Sequence, residues 1–286
     1  MYTGRRFDPE EVWSIAEREG ATSLMVVGDA MARPLAEALA AEPGRWDLSA
    51  LAGIGSGGSI LSKAVKTQLR EQLPNVTVVD SFGASETGAN GAVLDMTGPA
   101  AGPRFTMGPH TTVLDDDLRP VAPGSGVVGR LARKGHIPLG YYKDEQKTAA
   151  TFFVDADGVR WVLPGDFATV EADGSIMLLG RGSVSINTGG EKVFPEEVEA
   201  ALKSHPDVFD AVVVGVPDER FVERVAAIVL PRAGTAPTLD ELAAHCRTQV
   251  AGYKVPRQLH LVDEIVRTPS AKPDYRWAKA RALEGV

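Results

Sequence analysis

Gly180-Arg-Gly-Ser-Val-Ser-Ile-Asn-Thr-Gly-Gly-Glu-Lys-Val-Phe-Pro-Glu-Glu-Val-Glu199 is the stretch on which the reading of this chain turns. It joins an arginine, a short flexible joint and a β-prone triplet at Val184 to Ile186. A glycine turn at Thr188-Gly-Gly190 follows, then a helix opened by Pro195 with Val198, Ala201 and Leu202 on one face. The texture of the sequence differs on its two sides. We therefore place a boundary at Gly180 to Val184.

Downstream lie two strong strands, Ala211 to Val216 and Val225 to Leu230. The capping box Thr238-Leu-Asp-Glu241 starts a helix, and Gln258 to Val262 reads as a third strand. This is a compact α+β unit. Upstream, Asp8 and Pro9 open a helix carrying Val12, Ile15 and Ala16. Leu24 to Val27 reads as a strand, Arg33 to Ala41 as a helix with Pro34 near its start, and Leu51 to Ile54 as a strand. That strand ends in the turn Gly53-Ile-Gly-Ser-Gly-Gly-Ser59. A helix with Leu61, Val65 and Leu69 at i, i+4 and i+8 follows, and Val76 to Val79 then runs into Ser81-Phe-Gly-Ala-Ser-Glu-Thr-Gly88. Strand, glycine turn, helix, strand predicts an α/β layer with a parallel sheet over about 1–98. Pro and Gly punctuate short β-prone runs after residue 98, with a helical patch at Asp144 to Thr151 and a hairpin around Asp173-Gly174, so 99–180 predicts an antiparallel β subdomain.

Composition narrows the function classes. The 286 residues carry 30 Lys+Arg against 38 Asp+Glu, a net charge of −8 that argues against a general nucleic-acid binder. The lone Cys246 falls on an apolar face with Leu239, Leu242 and Val250, which excludes a disulfide framework and makes it a buried small hydrophobe. No apolar run approaches the ~20 residues of a membrane span, and no hydrophobic stretch follows Arg5 and Arg6 as a signal peptide requires. A soluble cytoplasmic protein is expected.

Several stretches bear chemistry. Gly55-Ser-Gly-Gly-Ser-Ile-Leu-Ser-Lys63 lacks the Gly-Lys-Ser/Thr of a Walker loop; its missing side chains suit a flat ligand lying on backbone. In Asp80-Ser-Phe-Gly-Ala-Ser-Glu86, Phe82 offers a stacking face, Ser85 a hydroxyl for a phosphate oxygen, and Glu86 a hard oxygen ligand for Mg²⁺. Pro164-Gly-Asp166 places a carboxylate after a strand, suited to ribose hydroxyls. Thr268-Pro-Ser-Ala-Lys272 puts a lysine on a loop near the C-terminus. Each alone fits a surface loop; the ordered set is specific.

The series closely resembles the adenylate-forming superfamily, and within it the acyl-CoA synthetases. The matching stretches are Ser81 to Gly88, Pro164 to Asp166, Gly180 to Glu199, Gly252-Tyr-Lys-Val-Pro256 and Arg267 to Lys272. The wording of Gly180 to Glu199 and of Lys272-Pro-Asp-Tyr-Arg-Trp-Ala-Lys279 is similar to fatty-acid and steroid-side-chain CoA ligases.

The resemblance implies a partial AMP-binding domain over 1–180, a hinge at 181–184 centred on Ser183, and a C-terminal lid domain over 185–286. It implies ATP-dependent adenylation of a carboxylic acid, then thioester formation with CoA. Carried over by position, Ser56, Gly57, Gly58 and Ser59, with Asp80, Ser81, Phe82 and Gly83, line the adenine pocket. Ser85 touches the α-phosphate and Glu86 serves Mg²⁺. Asp166 and Arg181 hold the ribose, and Lys272 bridges the carboxylate and the α-phosphate. Gly189 and Gly190 admit the pantetheine arm of CoA, with Lys192 and Lys254 as candidate contacts for its phosphates. Ala89, Gly91 and Ala92 suggest a roomy acyl wall. Ser183 stands where the family often has Asp or Lys, and Ala271, one methyl larger, where it usually has Gly. The family's Ser/Thr/Gly-rich phosphate loop has no counterpart here, so full turnover is expected to need an N-terminal half on a separate chain or self-association. A non-catalytic AMP- or CoA-binding remnant, and an adenylation domain serving a carrier protein, are the alternatives.

Overall fold

The computed structural model describes residues 7–59, 61–93 and 104–284. Its backbone is organised on two sheets. The first starts with three parallel strands, Ser23–Val26, Gly53–Ser56 and Thr77–Ala84, connected through helices Gly28–Ala41 and Lys63–Gln72. Gly88–Val93 folds back antiparallel on the third strand, and Arg104–Met107 pairs antiparallel with it in turn. Pairing continues to Ile176–Arg181, Asp166–Val170 and Gly129–Lys134. The parallel layer and the antiparallel region expected as separate pieces thus share one sheet of 11 strands among the described residues. The expected change of texture near residue 98 lies outside those residues.

Local chemistry explains the elements. Asp8 accepts from the N–H groups of Glu10 and Glu11 at 3.0 and 3.2 Å, capping helix Pro9–Arg18. That helix buries Trp13, whose indole N–H donates to the carbonyl of Leu35 at 3.0 Å, in a core shared with Ile54, Leu61 and Leu69. Helix Gly28–Ala41 begins earlier than expected and carries Pro34 inside it. Asp29 anchors its first turn by pairing with Arg33 at 3.1 Å and accepting the N–H of Ser62 at 2.7 Å, which offsets the hydrogen bond Pro34 cannot donate. The second strand runs through Gly55 and Ser56, where a turn was expected. The thioether of Met25 lies over Gly55, so a side chain there would have to displace that exposed methionine. Likewise Thr77–Ala84 continues as strand through Ser81, Phe82 and Gly83.

The second sheet has five strands: Ile186–Thr188, Glu191–Val193, Val208–Asp218, Val222–Pro231 and Gln258–Leu261. Its centre is the long antiparallel pair Val208–Asp218 with Val222–Pro231, to which Gln258–Leu261 adds in parallel. Helices Pro195–Lys203 and Leu239–Arg247 cover one face with Val198, Leu202, Leu242 and Cys246. Helix Tyr275–Leu283 covers the other, setting Ala278 and Ala282 against Val212 and Ile228. Burial pushes the Cys246 thiol up to about 11, as befits a core residue.

Between the sheets, the expected strand at Val184 to Ile186 is replaced by a single 3₁₀ turn, Gly182–Val184, with the strand starting at Ile186. Gly182 lies against the ring of Phe167, where a Cβ would come within 2.5 Å. The two sheets also meet far from this joint. Arg232 pairs with Glu37 at 2.8 Å, and Phe209 sits near both Arg33 and Arg232, each guanidinium 5.9 Å from the ring centroid. No described helix is long and apolar enough to cross a membrane.

Gly91 turns out to be needed for close packing, not for a roomy wall. A Cβ there would lie 2.6 Å from the Thr106 carbonyl oxygen and 2.8 Å from Phe82 Cε1. Gly91→Ala is therefore expected to cost about 1–3 kcal/mol in urea unfolding; an unchanged midpoint at unchanged slope would contradict this packing.

Candidate functional site

A cleft of ≈ 440 Å³ opens between the two sheets. Its floor is the end of the parallel layer, where Gly58, Ser59 and Asp80 to Gly83 line it. One wall is Asp166 with Met177 to Arg181. The other comes from the second sheet's side: Glu196, Glu197, Glu199, Lys272 and Tyr275. Most of the residues assigned to one nucleotide site thus meet here, and Ser183, assigned to the hinge, also lines the cleft.

Asp166 and Arg181 face each other in the register of the antiparallel pair. Their side chains are joined at 3.3 Å. Burial raises the Asp166 carboxyl above its ordinary value, and the Glu86 charge adds to this; Arg181 and Lys272 oppose it. One carboxylate therefore senses Arg181, Glu86 and Lys272 together. Lys272 lies across the cleft from the second sheet, its Cε 3.4 Å from where a Cβ of Gly58 would stand. Gly58 has φ +81, so the lysine stem crosses a backbone position suited to glycine on two counts.

The lysine is held by a tight turn. The N–H of Thr268 donates to the Lys272 carbonyl at 2.8 Å, and that of Ala271 to the Thr268 carbonyl at 2.9 Å. Arg267 clamps the turn, donating to the Ala271 carbonyl at 3.0 Å and to the buried carboxylate of Asp210. Ala271 has φ 61. The departure from glycine is thus more than one methyl: alanine is held in the left-handed region, at about 1–2 kcal/mol.

Glu86 stands beside the cleft on the turn between Thr77–Ala84 and Gly88–Val93. The hydroxyl of Tyr141 donates to it at 2.5 Å. Burial disfavours its charge, but Tyr141, its own backbone, Arg181 and Lys147 together hold the carboxyl below its ordinary value. Thr87 fixes this turn: its hydroxyl accepts the N–H of Ala84 and the side-chain amide of Asn90, each at 3.0 Å. Ser85 is exposed on the same turn and does not line the cleft.

Some expected contacts take other roles. Ser56 is fully buried beneath the cleft, its hydroxyl accepting the N–H of Gly28 at 3.2 Å. Gly57 backs onto Ser81, and the Ser81 hydroxyl donates to the Ser56 carbonyl at 2.9 Å. Asp80 lines the cleft, but its carboxylate pairs with Lys66 at 2.9 Å, both almost wholly buried. Burial raises its carboxyl in spite of that partner. Phe82 packs against Phe105 in a tilted arrangement, ring centroids 4.5 Å apart, so part of its surface belongs to the core.

The residues expected near CoA lie outside the cleft. Gly189 and Gly190, at φ +64 and +94, form the hairpin turn between Ile186–Thr188 and Glu191–Val193. The Lys192 ammonium sits 5.2 Å from the Phe167 ring centroid, and Lys254 pairs with Glu197 at 2.6 Å. Lys192 is exposed, whereas Lys254 is largely buried in its pair. Tyr141, Lys66 and Tyr275 are partners that sequence reasoning missed. Lys66 had a signal, a lysine on the buried side of an amphipathic helix beside Val65 and Leu69; Tyr141 reaches Glu86 across 55 residues and had none.

Two substitutions test this geometry. Lys66→Met leaves Asp80 buried without its partner and is expected to destabilise by about 3–5 kcal/mol in chemical unfolding; a loss near zero would show that the pair is not needed. Tyr141→Phe removes a donor while burial remains, so Glu86 should titrate at higher pH. The stability its ionised form contributes, present above the ordinary carboxylate range and lost as pH falls, should shrink. Carbon-detected NMR of the Glu86 carboxyl reads this directly, and an unmoved midpoint would contradict it.

Comparison with known proteins agrees with the geometry. The AMP-binding enzyme family matches residues 1–142, and the AMP-binding enzyme C-terminal domain matches residues 197–272. A medium/long-chain-fatty-acid–CoA/3-oxocholest-4-en-26-oate–CoA ligase of Mycolicibacterium smegmatis is 58% identical over 96% of this chain and 50% of its own length. A 3-oxocholest-4-en-26-oate–CoA ligase of Rhodococcus rhodochrous is 53% identical over the same shares, 96% and 50%. The chain therefore spans about half the length of the curated relatives it matches. Among solved structures, amide bond synthetase McbA of Marinactinospora thermotolerans superposes with a TM-score of 0.80 at 30% identity, over 97% of this chain and 55% of that one. The residues that meet in the cleft, the two family matches and these relatives together lead to one conclusion: the chain belongs to the AMP-binding, adenylate-forming enzyme family.

Proposed function

We propose that this chain provides the C-terminal half of an AMP-forming acyl-CoA synthetase acting on fatty or steroid-derived acids. The observation that carries the proposal is the position of Lys272, which reaches from the second sheet's side over Gly58 toward the Asp166–Arg181 pair. The names of the relatives support the acid class and the CoA acceptor.

In this reading the carboxylate oxygen attacks the α-phosphorus of ATP and the bond to pyrophosphate breaks, giving an acyl-adenylate. Asp166 accepts from the ribose hydroxyls, and Arg181 supports its ionised form. Phe82 and the backbone at Gly58 and Gly83 wall the base. The Lys272 ammonium meets negative charge developing on the carboxylate and α-phosphate oxygens; Ser85, exposed on the turn beside the cleft, would reach the α-phosphate only at the cleft's edge. Lysine suits the task as a compact charge on a long stem. Glu86 offers one hard oxygen donor, kept ionised by Tyr141, and no group of three or more His, Cys, Asp or Glu among the described residues could hold a metal ion. Such a donor set fits Mg²⁺ shared between one carboxylate and substrate phosphates. When bound, the metal supplies charge neutralisation at those phosphates.

The second half-reaction needs Lys272 withdrawn and CoA admitted. We assign residues 1–180 to the nucleotide-binding part, 181–184 with Ser183 to the hinge, and 185–286 to a lid that rotates. Rotation would bring the Gly189-Gly190 turn to the site. It would also free Lys192 from Phe167 for the phosphates of CoA, while Lys254 would move with its partner Glu197, both being on the lid. The CoA thiol then attacks the acyl carbonyl and AMP leaves.

The test combines binding with turnover in a ligase completed by the N-terminal half. Calorimetry should detect AMP, and Asp166→Asn should weaken it about ten- to hundredfold. Lys272→Ala should leave AMP binding intact and lower acyl-adenylate formation by about 10²–10³. Thioester formation from supplied acyl-adenylate should be spared. Absence of AMP binding, or equal loss in both half-reactions, would overturn the reading.

A further inference from the structure

Glu196, unassigned above, is the second residue of helix Pro195–Lys203 and reaches across to the first sheet. Its carboxyl packs on the backbone of Gly180, which has φ +138 and no room for a side chain because Glu196 fills that space. One oxygen, Oε1, accepts the N–H of Arg181 at 3.4 Å. The other, Oε2, is buried without any hydrogen-bond partner.

The charges around it are unhelpful to an anion. On its own helix stands the buried Glu199, while the neighbouring Glu197 is engaged with Lys254 at 2.6 Å. From the first sheet come Asp166 and Arg181, and the Arg181 side chain is turned to Asp166 at 3.3 Å. From helix Tyr275–Leu283 comes the Tyr275 hydroxyl, which burial and the charges of Glu199 and Glu196 keep protonated. No cation pairs with Glu196 among the described residues. A buried, unpaired carboxylate is far costlier than a neutral acid in the same place.

We propose that Glu196 docks the C-terminal body onto strand Ile176–Arg181 as a neutral carboxylic acid, so that undocking releases one proton. The step balances simply: the docked COOH becomes a solvated carboxylate plus H⁺. Burial, with Glu199 and then Asp166 adding to it, pushes this carboxyl up to about 8 from an ordinary 4.5. Because the docked state has the raised value, docking is fully supported below the ordinary range and weakens as pH rises toward the docked value. Glu196 is thus a positioning residue for the closed, Lys272-in arrangement. The inference rests on the rotation proposed above.

The test is a fluorescence-transfer measurement on the full chain with dyes at Glu71→Cys and Glu219→Cys, two exposed positions on opposite bodies, Cys246 being buried. The ratio of docked to undocked molecules should fall about tenfold per pH unit between roughly pH 5.5 and 7.5. Glu196→Gln, a neutral isostere, should stay docked with no slope. Arg232→Ala, which breaks the half-buried bridge to Glu37, should lower the ratio at every pH and keep the slope. The same slope in Glu196→Gln as in the unaltered side chain would overturn the proton-linked docking while leaving rotation standing. A single population in all three chains at every pH would overturn both.

Discussion

The candidate site is organised by one antiparallel register, the pairing of Asp166 with Arg181 at the end of two adjacent strands. That register sets a carboxylate and a guanidinium side by side without any long-range search, since strand neighbours are fixed once the hairpin around Asp173-Gly174 closes. Everything else is disposed about this pair. Thr77–Ala84 brings Phe82 to the floor and delivers Glu86 just beyond it. Arg181 is also the last strand residue before the 3₁₀ turn Gly182–Val184. The same residue that orients the acidic partner therefore begins the segment joining the two sheets.

The order of elements was legible because periodicity and turn chemistry agree in this chain. Asp8 and Pro9, the Thr238–Glu241 capping box, and the valine-rich run of Val208–Asp218 each point one way. The cleft residues were legible as a set because their types fit one ligand in one order. What escaped was tertiary. Gly55 belongs to a strand because it pairs in parallel with Met25 on one side and Val79 on the other, partners distant in the sequence. Whether Asp80 faces a ligand or a lysine depends on a helix that packs beneath it. Pro34 looked like a helix start because its local penalty is real; the buried Asp29–Arg33 pair that offsets it is visible only in three dimensions.

Both bodies set cations beside most of their buried acids, and Glu196 is the exception. In the first, the acids in the cleft have cations close by: Lys66 for Asp80 and Arg181 for Asp166. In the second, Asp210 is shared by Lys203 and Arg267, and burial of its carboxyl is outweighed by those two neighbours, so it stays below its ordinary value. Glu199 accepts the N–H of Val213 at 3.0 Å and is raised by burial despite Lys203. Glu196 alone of these residues has neither a cation nor a full set of hydrogen bonds. It is also the one placed between the bodies, where a change of their relative position changes its solvation most.

The same economy explains how Lys272 reaches the cleft. A lysine on an unrestrained loop loses up to about 2 kcal/mol of side-chain freedom on being immobilised, besides the cost of ordering its backbone. Here the backbone cost is met during folding of the second sheet: Asp210, on the central strand, holds Arg267, which holds the carbonyl of Ala271. Holding Ala271 in the left-handed region adds local strain, and the turn persists because Thr268 and Arg267 together over-determine it. Lys272 is thereby carried by the body as a whole and not by a mobile loop. In the proposed rotation, its entry and exit would follow docking and undocking of that body, coupling the position of one ammonium group to the interface at Gly180 and Glu196.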